Sequence, residues 1–370
     1  MLLCRHYGKC GGCQLQNLSY KEQLERKVEK VINLFKLEPE ETIPSPKIYY
    51  YRNRMDWVVG PEYKVGLKEK GKWWAYVDIE ECLLQSEESN IIRNKFREFI
   101  KEKNLEPWDT VKHKGFVRYI VIREGKFTNE RMVTIITYKT EDLNYYKNLW
   151  LEFFEEIKDF VTSFYWGINP TFGDVSYAYE KYHLCGNLYL KEKLLDNFYL
   201  IGPNSFFQPN SYTAEILLKK VIEFLEPKEN EIIYDLYSGV GTFSIEIAKY
   251  AKEVISIDSE PETEELFYKN CEINGIKNCK FILKRAENIN KLSANKVVLD
   301  PPRSGLHPKV IKLLGKSYIK RIIYVSCNPE TQIRDIKQLE KFGYKLERYI
   351  LIDQFPHTIH IESIAILNKE

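Results

Sequence analysis

The chain has 370 residues, 44% of them hydrophobic and 29% charged, and its 55 Lys and Arg nearly balance 53 Asp and Glu, for a net charge of +2. This composition excludes an intrinsically disordered chain and a protein that coats nucleic acid by bulk charge, but it is compatible with a local basic face. Because there is no apolar run of about 18 residues and no signal peptide, we expect a cytoplasmic protein with no membrane partner. We also expect a monomer.

The first half of the chain is predicted to be strand-rich. A helix is predicted over 19–37, where apolar residues recur at helical spacing. Short strands rich in aromatic or β-branched residues are predicted over 54–60, 62–68, 73–79, 118–123 and 131–138, with helices over 89–103 and 143–158. We therefore expect a mainly antiparallel α+β domain over 1–203, with the 19–37 helix a candidate to pack on the following domain.

From residue 204 onward, helical and strand patterns alternate. A helix is predicted over 211–225, and strands over 232–236, 253–257, 280–283, 296–299, 321–325, 344–352 and 360–367. This alternation is typical of a doubly wound, mostly parallel α/β sheet with a Rossmann-like order, here spanning 204–370. The last two strands have no helix between them, so the sheet is expected to end in an antiparallel pair.

A glycine-containing loop follows the first strand of this second domain. Gly239 and Gly241 lie where the chain must turn from strand into helix, and Asp258 ends the next strand. The segment lacks the third glycine of a dinucleotide fingerprint and the Lys-Ser/Thr of a P-loop, so it suits S-adenosylmethionine better. The alternative is that many α/β proteins have a glycine at such a turn and an acid after the next strand.

Three further segments place polar groups at or near strand ends of the same sheet, where doubly wound folds bind their ligands. They are Asp300–Arg303, Ser326–Pro329 and Phe355–Glu362. An Asp-Pro-Pro turn is typical of methyltransferases that act on nucleobases, because its carboxylate can bond a base edge. Cys327 is a candidate nucleophile, although a single cysteine is more often a small buried hydrophobe.

Four cysteines form a candidate metal site. Cys4, Cys10 and Cys13 lie close together at the start of the chain, and Cys82 is available as a fourth ligand. In a reducing compartment such clustering favours a metal over disulfides. Four thiolates suit zinc or an iron–sulfur cluster, and four protein ligands favour a closed, structural site.

The ordered set of motifs resembles the RNA (uracil-5)-methyltransferase family. The matching segments are Phe206–Asn210, Asp235–Phe243, Asp300–Arg303, Ser326–Pro329 and Phe355–Glu362. The cysteine pattern is similar to the iron–sulfur branch that lacks an N-terminal β-barrel. The resemblance therefore implies a Rossmann-like S-adenosylmethionine-dependent methyltransferase domain, a preceding RNA-binding domain and a [4Fe–4S] cluster on the four cysteines.

The resemblance also implies roles for individual residues. Cys327 matches the nucleophile and Glu362 the general base. Gln208 and Asp300 match residues that contact the methyl donor and the uracil, and Phe206 matches an aromatic residue at the target base. The remaining cofactor positions are Tyr237, Gly239, Gly241, Thr242 and Asp258. Relatives carry Asn in place of Thr242 in some cases and usually Glu in place of Asp258.

A basic, aromatic segment is the candidate RNA face. Between Lys47 and Trp74 there are seven Lys or Arg and seven Tyr or Trp against three Asp or Glu. Such a mixture suits phosphates and unstacked bases, so Arg52 and Arg54 are predicted to bind RNA, with Arg118 and Arg123 as further candidates. The alternative is a strand-rich domain with an aromatic core and solvated lysines.

The resemblance predicts an enzyme that forms 5-methyluridine in RNA. The layout, with the cluster and without the barrel, is similar to the branch that acts on 23S ribosomal RNA, so rRNA is the expected substrate. A methyltransferase of the transfer RNA T-loop is the alternative. A cytosine-5 RNA methyltransferase is less favoured, because it would normally place its nucleophile in a context other than Asp300–Arg303 with Ser326–Pro329. An inactive, metal-stabilised RNA-binding protein is less favoured because Cys327 and Glu362 are both present.

Overall fold

The computed structural model describes residues 2–369. Eight α-helices are present: α1 Tyr20–Phe35, α2 Glu87–Glu102, α3 Leu143–Ile157, α4 Ser211–Leu225, α5 Thr242–Ala248, α6 Pro261–Ile273, α7 Pro308–Lys316 and α8 Pro329–Glu340, all within this range. None of the helices in residues 2–369 combines the length and the apolar character that crossing a membrane requires.

The strands of the first half are β1 Glu41–Ile43, β2 Arg54–Gly60, β3 Lys64–Glu69, β4 Lys72–Asp78, β5 Val117–Glu124, β6 Arg131–Thr137, β7 Ser163–Ile168, β8 Glu180–Gly186, β9 Leu190–Leu194 and β10 Asn197–Ile201. Those of the second half are β11 Ile232–Leu236, β12 Glu253–Asp258, β13 Cys279–Leu283, β14 Lys296–Leu299, β15 Arg321–Ser326, β16 Tyr344–Ile352 and β17 Glu362–Lys369. Strands β9 and β10 form a two-stranded sheet of their own.

The chain divides into two compact units, each built from separate segments. The first unit contains the residues up to Ser19, Lys47–Lys193 and Ile201–Asn204. The second contains Tyr20–Pro46, Leu194–Leu200 and the residues from Ser205 onward. A single boundary between residues 203 and 204 therefore does not describe the division, because α1 and β1 belong to the second unit.

The first unit contains a seven-stranded sheet in the order β4-β3-β2-β5-β6-β7-β8. Its neighbouring strands are antiparallel except for the pair β6 and β7, which is parallel. Parallel neighbours need a crossover connection, and α3 provides it. Aromatic residues of α3 and α2 pack together, with Phe96 and Phe99 against Trp150 and Phe153. The sheet is thus mainly antiparallel, as the sequence predicts.

The second unit contains an eight-stranded sheet in the order β1-β16-β17-β15-β14-β11-β12-β13. Strands β11 to β15 pair in parallel. Strand β17 is inserted between β15 and β16 and is antiparallel to both. The predicted α/β sheet and the antiparallel pairing of its last two strands are confirmed, but the sheet ends in β1 rather than in this pair, and β17 begins at Glu362 rather than at residue 360.

Helix α1 packs on the core of the second unit. Val31 and Phe35 are buried in the same hydrophobic cluster as Leu299 and Leu351, and the Phe35 ring stacks on Tyr349 with centroids 4.5 Å apart. The chain then adds β1 as a parallel edge strand along β16. The sequence pattern does not predict β1, since three residues are too few for a periodic signal.

Candidate active site

The turn after β11 exposes backbone at the carboxyl edge of the sheet. Tyr237, Gly239 and Gly241 all have positive φ, and a Cβ on Gly241 would lie 2.9 Å from the Phe267 ring. A Cβ on Gly239 would have no neighbour closer than 4.0 Å, so its backbone borders open space. The Gly239 N–H donates to Asp258 Oδ2 at 2.9 Å, which brings two of the predicted cofactor residues together.

Polar atoms beside this turn lack partners. Asp235 is fully buried and accepts from Ser244 Oγ at 2.5 Å through Oδ2. Its Oδ1 and the Ser238 hydroxyl are buried without a hydrogen-bond partner among residues 2–369. Buried polar atoms rarely stay unsatisfied, so this acceptor and this hydroxyl fit a polar ligand bound at this turn. Thr242, the first residue of α5, is also buried here.

A chain of buried amide and carboxyl side chains begins after β14. Gln208 Nε2 donates to Asp300 Oδ2 at 2.8 Å. Gln354 Nε2 donates to Gln208 Oε1 and to Glu362 Oε2, each at 2.9 Å. The four residues come from separate loops and the start of β17, yet all are at most partly exposed, and Gln354 and Glu362 are nearly inaccessible. The fold therefore joins three predicted site residues through a fourth, Gln354.

Gln354 was not among the predicted site residues. Its backbone carbonyl accepts from Asn210 Nδ2 at 3.2 Å, and its side-chain oxygen accepts from the Thr213 hydroxyl at 3.3 Å. Asn210 also caps the N-terminus of α4. The available signal was the pair Asp353-Gln354, two polar residues directly after the apolar end of β16 and before the predicted Phe355–Glu362 motif.

Strand register brings Cys327 and Glu362 side by side. Ser326 at the end of β15 pairs with Ser363 of β17, so Cys327, which directly follows β15, reaches the level of Glu362. Cys327 is half-buried, and the following Asn328 caps α8 and donates through Nδ2 to the carbonyl of Arg303 at 2.9 Å. The nucleophile and base predicted from two distant motifs thus occupy one location.

Burial and neighbouring negative charges raise the pKa of three groups at this location. Burial raises the pKa of Asp300 to about 7, with the nearby Asp235 acting in the same direction. Burial, followed by the charge of Asp300, raises the pKa of Glu362 well above its ordinary value, while the hydrogen bond from Gln354 lowers it. Burial and then the charges of Glu362 and Asp300 raise the pKa of Cys327 to about 12, and Arg303 lowers it. Such perturbed groups are typical of functional sites.

Helix α1 braces the loop between β16 and β17 with polar side chains. Lys27 Nζ donates to Asp353 Oδ1 at 2.7 Å and to the carbonyl of Phe355 at 2.9 Å, and both charged side chains are almost fully buried. Gln23, one helical turn earlier, accepts from the backbone N–H of His357 at 2.9 Å. These contacts fix the loop that carries Gln354 and leads into Glu362.

The remaining predicted binding residues differ in their unit and in how exposed they are. Phe206 is 61% exposed in the second unit, where it could present its ring to a ligand. Arg52 and Arg54 are half-buried in the first unit, and Arg54 is paired with Asp56 at 2.7 Å. Arg118 and Arg123 are 1% and 3% exposed, so the prediction that they form part of an RNA surface is wrong.

Cys4, Cys10, Cys13 and Cys82 line a single cavity of the first unit. No group of three or more His, Cys, Asp or Glu side chains in the described part of the chain is arranged to hold a single metal ion. A single metal ion needs its ligand atoms about 2.3 Å from one centre. The four thiolates of a cubane cluster lie further apart from one another, so the two kinds of site differ in size. The metal site on these four cysteines therefore stays a prediction.

Donors to sulfur also surround this cavity. The Gly12 N–H donates to Cys10 Sγ at 3.3 Å, and backbone N–H groups of Leu84 and Gln85 partly offset the rise that burial causes in the pKa of Cys82. Gln16 Nε2 is buried without a partner among residues 2–369. Burial and the neighbouring thiols raise the pKa of Cys13, and Arg52 lowers it. The donor set fits a negatively charged group bound to the four sulfurs.

Comparison with known proteins connects these features to a family. A sequence model of the tRNA (Uracil-5-)-methyltransferase family matches residues 180–295 and 285–370. An uncharacterised RNA methyltransferase of Nanoarchaeum equitans is 50% identical over 99% of this chain and 80% of its own length. The tRNA (uracil(54)-C(5))-methyltransferase of Pyrococcus horikoshii is 44% identical over 98% of this chain and 84% of its own length.

Two further similarities bear on substrate and ligand. The 23S rRNA (uracil(747)-C(5))-methyltransferase of Pyrococcus furiosus is 37% identical over 99% of this chain and 85% of its own length. Among solved structures, the tRNA (uracil-54, C5)-methyltransferase of Pyrococcus abyssi, in complex with S-adenosyl-L-homocysteine, is similar with a TM-score of 0.80 and 40% identity. That match covers 96% of this chain and 85% of the other.

Proposed function

The chain belongs to the tRNA (uracil-5-)-methyltransferase family and is an S-adenosylmethionine-dependent RNA uracil-C5 methyltransferase; from this premise we propose that it methylates a T-loop uridine of transfer RNA through a covalent Cys327 adduct. The observation that carries the mechanism is the buried chain from Asp300 through Gln208 and Gln354 to Glu362, beside Cys327. The sequence pattern predicts 23S rRNA as the substrate, and transfer RNA takes its place here. The reason is that this chain is 44% identical to a relative named for tRNA uracil 54 and 37% identical to one named for 23S rRNA uracil 747.

The reaction needs a nucleophile and a base on one pyrimidine. Uracil C5 is too weak a nucleophile by itself, and thiolate addition of Cys327 to C6 makes C5 enolate-like. S-adenosylmethionine, when bound, supplies the methyl group that C5 takes. Glu362 then removes the C5 proton, and the electron pair left on C5 forms the C5–C6 double bond and expels the Cys327 thiolate. The Cys327 thiolate is regenerated, the proton released from C5 is held by Glu362, and the electron pair of the broken methyl–sulfur bond would stay on the sulfur of the departing neutral thioether.

Asp300 and Gln208 orient the two reactants. With a pKa raised to about 7, the Asp300 carboxyl can hold a proton and donate a hydrogen bond to a base edge, or accept one when ionised. Gln208, already bonded to Asp300, presents an amide to the same space. The target uridine must leave its stack to reach these groups, and the proposed stacking partner is Phe206, whose ring is exposed.

The methyl donor is assigned to the turn after β11. Gly239 and Gly241 allow backbone approach, Asp258 accepts ribose hydroxyls, and the buried polar atoms beside the turn gain partners. Tyr237 and Thr242 flank the turn in sequence, and the bonded pair Gln208 and Asp300 completes the proposed set. All of these residues belong to the second unit.

Methyl transfer to defined RNAs tests the substrate. Wild-type protein, labelled donor and three unmodified transcripts (a tRNA, its isolated T-arm hairpin and a 23S rRNA loop fragment) are incubated and digested to nucleosides. We expect 5-methyluridine in the tRNA at the T-loop. The Cys327→Ala variant should give none, while the half-exposed Cys185→Ala should match wild type. Labelling of the rRNA fragment alone, or 5-methylcytidine in any transcript, contradicts the proposal.

The Glu362→Gln variant separates the two covalent steps. It keeps the shape of the side chain but cannot accept the C5 proton, so it should transfer one methyl group and remain attached to the RNA through Cys327. Denaturing electrophoresis should show a shifted band that carries donor label. Normal turnover, or inactivity without a labelled adduct, would remove Glu362 from the role of base.

The four cysteines are assigned to a structural [4Fe–4S] cluster. The support is their common cavity, the N–H donors to sulfur, the Gln16 Nε2 group that has no hydrogen-bond partner among residues 2–369, and the nearby cation Arg52. The cluster ties the N-terminal loop to the residues around Cys82 and takes no part in methyl transfer. Zinc is the alternative occupant.

Metal analysis of protein purified without oxygen tests this assignment. We expect about four iron and four sulfide per chain and a broad visible absorption near 400 nm, as cubane ligation implies. Cys82→Ser should lose both, and Cys185→Ser should keep them. One zinc per chain without iron would overturn the assignment.

The RNA face of the first unit remains a prediction for Arg52 and Arg54. Trp73 and Trp74 on the edge strand β4 extend it, since both are more than half exposed and lie next to Lys72. Replacing both arginines with Ala should weaken tRNA binding and flatten its salt dependence, measured by filter binding at several salt concentrations. If the double variant loses S-adenosylmethionine binding while its RNA binding is unchanged, Arg52 and Arg54 do not form an RNA face.

A further inference from the structure

A buried arginine fixes one exposed aromatic residue of the first unit. Phe172 is 57% exposed on the loop after β7, whereas Arg118 of β5 is 1% exposed. Arg118 donates to the carbonyls of Asn169 at 3.0 Å and Thr171 at 2.6 Å, and also to that of Gly173. Three carbonyls on both sides of Phe172 are thus held by one guanidinium, so the loop cannot easily move its ring out of solvent.

Other contacts make the same loop rigid. The Asn169 side chain accepts from the backbone N–H of Thr171 at 3.0 Å and donates to the carbonyl of Val175 at 2.9 Å. Asp174 accepts from the Tyr119 hydroxyl at 2.5 Å and pairs with Lys68 at 3.0 Å. These contacts hold the backbone on both sides of the exposed Phe172 ring in one conformation.

A second braced loop places further rings beside Phe172. Asp109 Oδ1 accepts from the backbone N–H groups of Val111 and Lys112, which closes the turn that carries His113. The His113 ring lies 4.9 Å from the Phe172 ring, and Tyr138 lies 6.3 Å away in a nearly parallel orientation. Together these rings form a partly exposed aromatic surface, which we call the aromatic platform (His113, Tyr138 and Phe172).

The charge beside the aromatic platform is positive. Lys112 and Lys114 flank His113, and Lys139 Nζ lies 5.7 Å from the Tyr138 ring centroid. Lys114 and Lys139 have no ion pair within residues 2–369. Two acidic side chains of these loops are already engaged, since Asp109 bonds its own turn and Asp174 bonds Tyr119 and Lys68, and the exposed Glu141 lies two residues beyond Lys139. Anionic partners are therefore favoured over cationic ones.

We propose that the aromatic platform is an RNA-binding site at which an unpaired base of the substrate RNA stacks on Phe172 while Lys114 and Lys139 contact its phosphates. Base–aromatic stacking beside lysines is how proteins hold unpaired nucleotides, and a preformed ring loses little entropy on binding. The site belongs to the first unit and the methylation residues to the second, and its residues differ from those of the Arg52 and Arg54 face, so it is a further contact with the RNA. It rests on the proposed function only in taking RNA as the substrate.

Three variants test the platform through binding of unmodified tRNA transcript by filter assay. Phe172→Ala should raise the Kd about 10-fold, which is about 1.4 kcal/mol, with kcat at saturating RNA unchanged. Phe172→Trp keeps a flat ring, so it should bind like wild type and show tRNA-dependent tryptophan quenching beyond that of wild-type protein. Tyr318→Ala is the matched control, because Tyr318 is 86% exposed in the second unit. It should bind like wild type.

The lysines are tested separately. Lys114→Gln and Lys139→Gln should each reduce the slope of log Kd against log salt concentration by about 1, with the ring intact.

The outcomes distinguish this proposal from its alternatives. Unchanged Kd for Phe172→Ala, or a Phe172→Trp variant as weak as Phe172→Ala, overturns it. A wild-type dimer in sedimentation that Phe172→Ala dissociates would make the platform an interface between copies of the chain, which also overturns it. If wild type binds tRNA but forms no 5-methyluridine, the proposed function fails while the Kd comparison still decides the platform.

Discussion

A single glutamine connects the proposed base to the rest of the catalytic residues. The Gln354 amide donates its two protons to Gln208 and Glu362, and its oxygen accepts from Thr213, so every polar atom of this buried side chain is satisfied. Neither Glu nor Met could do the same, because the first has no amide donor and the second has no polar group. Gln354 is therefore a positioning residue that acts through Glu362 and Gln208.

The Gln354→Met variant tests this role. Losing a hydrogen bond to a charged group is worth roughly 1.5–3 kcal/mol, so kcat should fall about 10- to 100-fold. Because the bond from Gln354 lowers the pKa of Glu362, its loss should move the pH dependence of adduct release to higher pH, with Asp300 and Cys327 still facing the carboxyl. The measurement is single-turnover release of RNA across pH, with the exposed Gln338→Met as control. An unshifted profile would reduce Gln354 to a packing residue.

Asp300 makes the stability of the ligand-free protein depend on pH. Its folded-state pKa of about 7 lies above the ordinary 3.8, so the folded state holds a proton that the unfolded state has released. This contribution is fully present below about pH 4 and is lost as pH rises through about 7. The free energy of unfolding should therefore fall, by an amount on the order of a few kcal/mol, over this interval.

In the Asp300→Asn variant, the free energy of unfolding should fall less as pH rises, since the amide cannot ionise. Guanidinium unfolding at pH 5 and pH 8 measures the difference for wild type, Asp300→Asn and the exposed control Asp196→Asn. A variant with the same pH difference as wild type would show that Asp300 does not hold the proton.

Among the elements, α1 has an apolar face that packs in the core and a polar face that contacts the loop between β16 and β17. Val31 and Phe35 enter the core, while Gln23 and Lys27 reach the loop that carries Gln354. The Lys27–Asp353 pair is almost fully buried, and removing one partner of such a pair leaves an uncompensated charge. The element thus stabilises the sheet and holds the catalytic loop at the same time.

Lys27→Met should lower the free energy of unfolding by about 3–5 kcal/mol. The matched control is Lys21→Met in the same helix, whose pair with Glu25 is exposed and should contribute at most about 0.5 kcal/mol. Denaturant unfolding compares the two. Equal effects of the two substitutions would contradict the buried pair as a specific support of the loop.

For the whole molecule, the discontinuous units determine what can fold alone. A fragment of residues 194–370 lacks α1 and β1, so it exposes the core around Leu299 and Leu351 and leaves Asp353 without its cation. Losing two buried apolar side chains costs about 1.5–3 kcal/mol each, and the uncompensated charge about 3–5 kcal/mol more. That sum is comparable to the whole stability of a typical domain.

Fusing residues 20–46 through a flexible linker to residue 194 should restore the fold that the 194–370 fragment loses. Circular dichroism and resistance to proteolysis provide the measurement, and the fused protein should show a cooperative thermal transition that the shorter fragment lacks. A shorter fragment as stable as the fusion would show that α1 and β1 are dispensable to the second unit.

The sequence by itself determined the family, the α/β order of the second half and the identity of Cys327, Glu362, Asp300 and Gln208 as site candidates. These are local signals: apolar periodicity, turn glycines and short motifs each lie within a few residues of one another. The tertiary structure decided what depends on contacts between distant segments. Strand register sets Cys327 beside Glu362, residues 20–46 belong to the second unit, Gln354 lies between two predicted residues, and Arg118 is a buried clamp rather than a surface cation. The side-chain partners of a polar residue do not follow from its neighbours in sequence, because burial and hydrogen bonding are fixed only when separate strands and helices pack together.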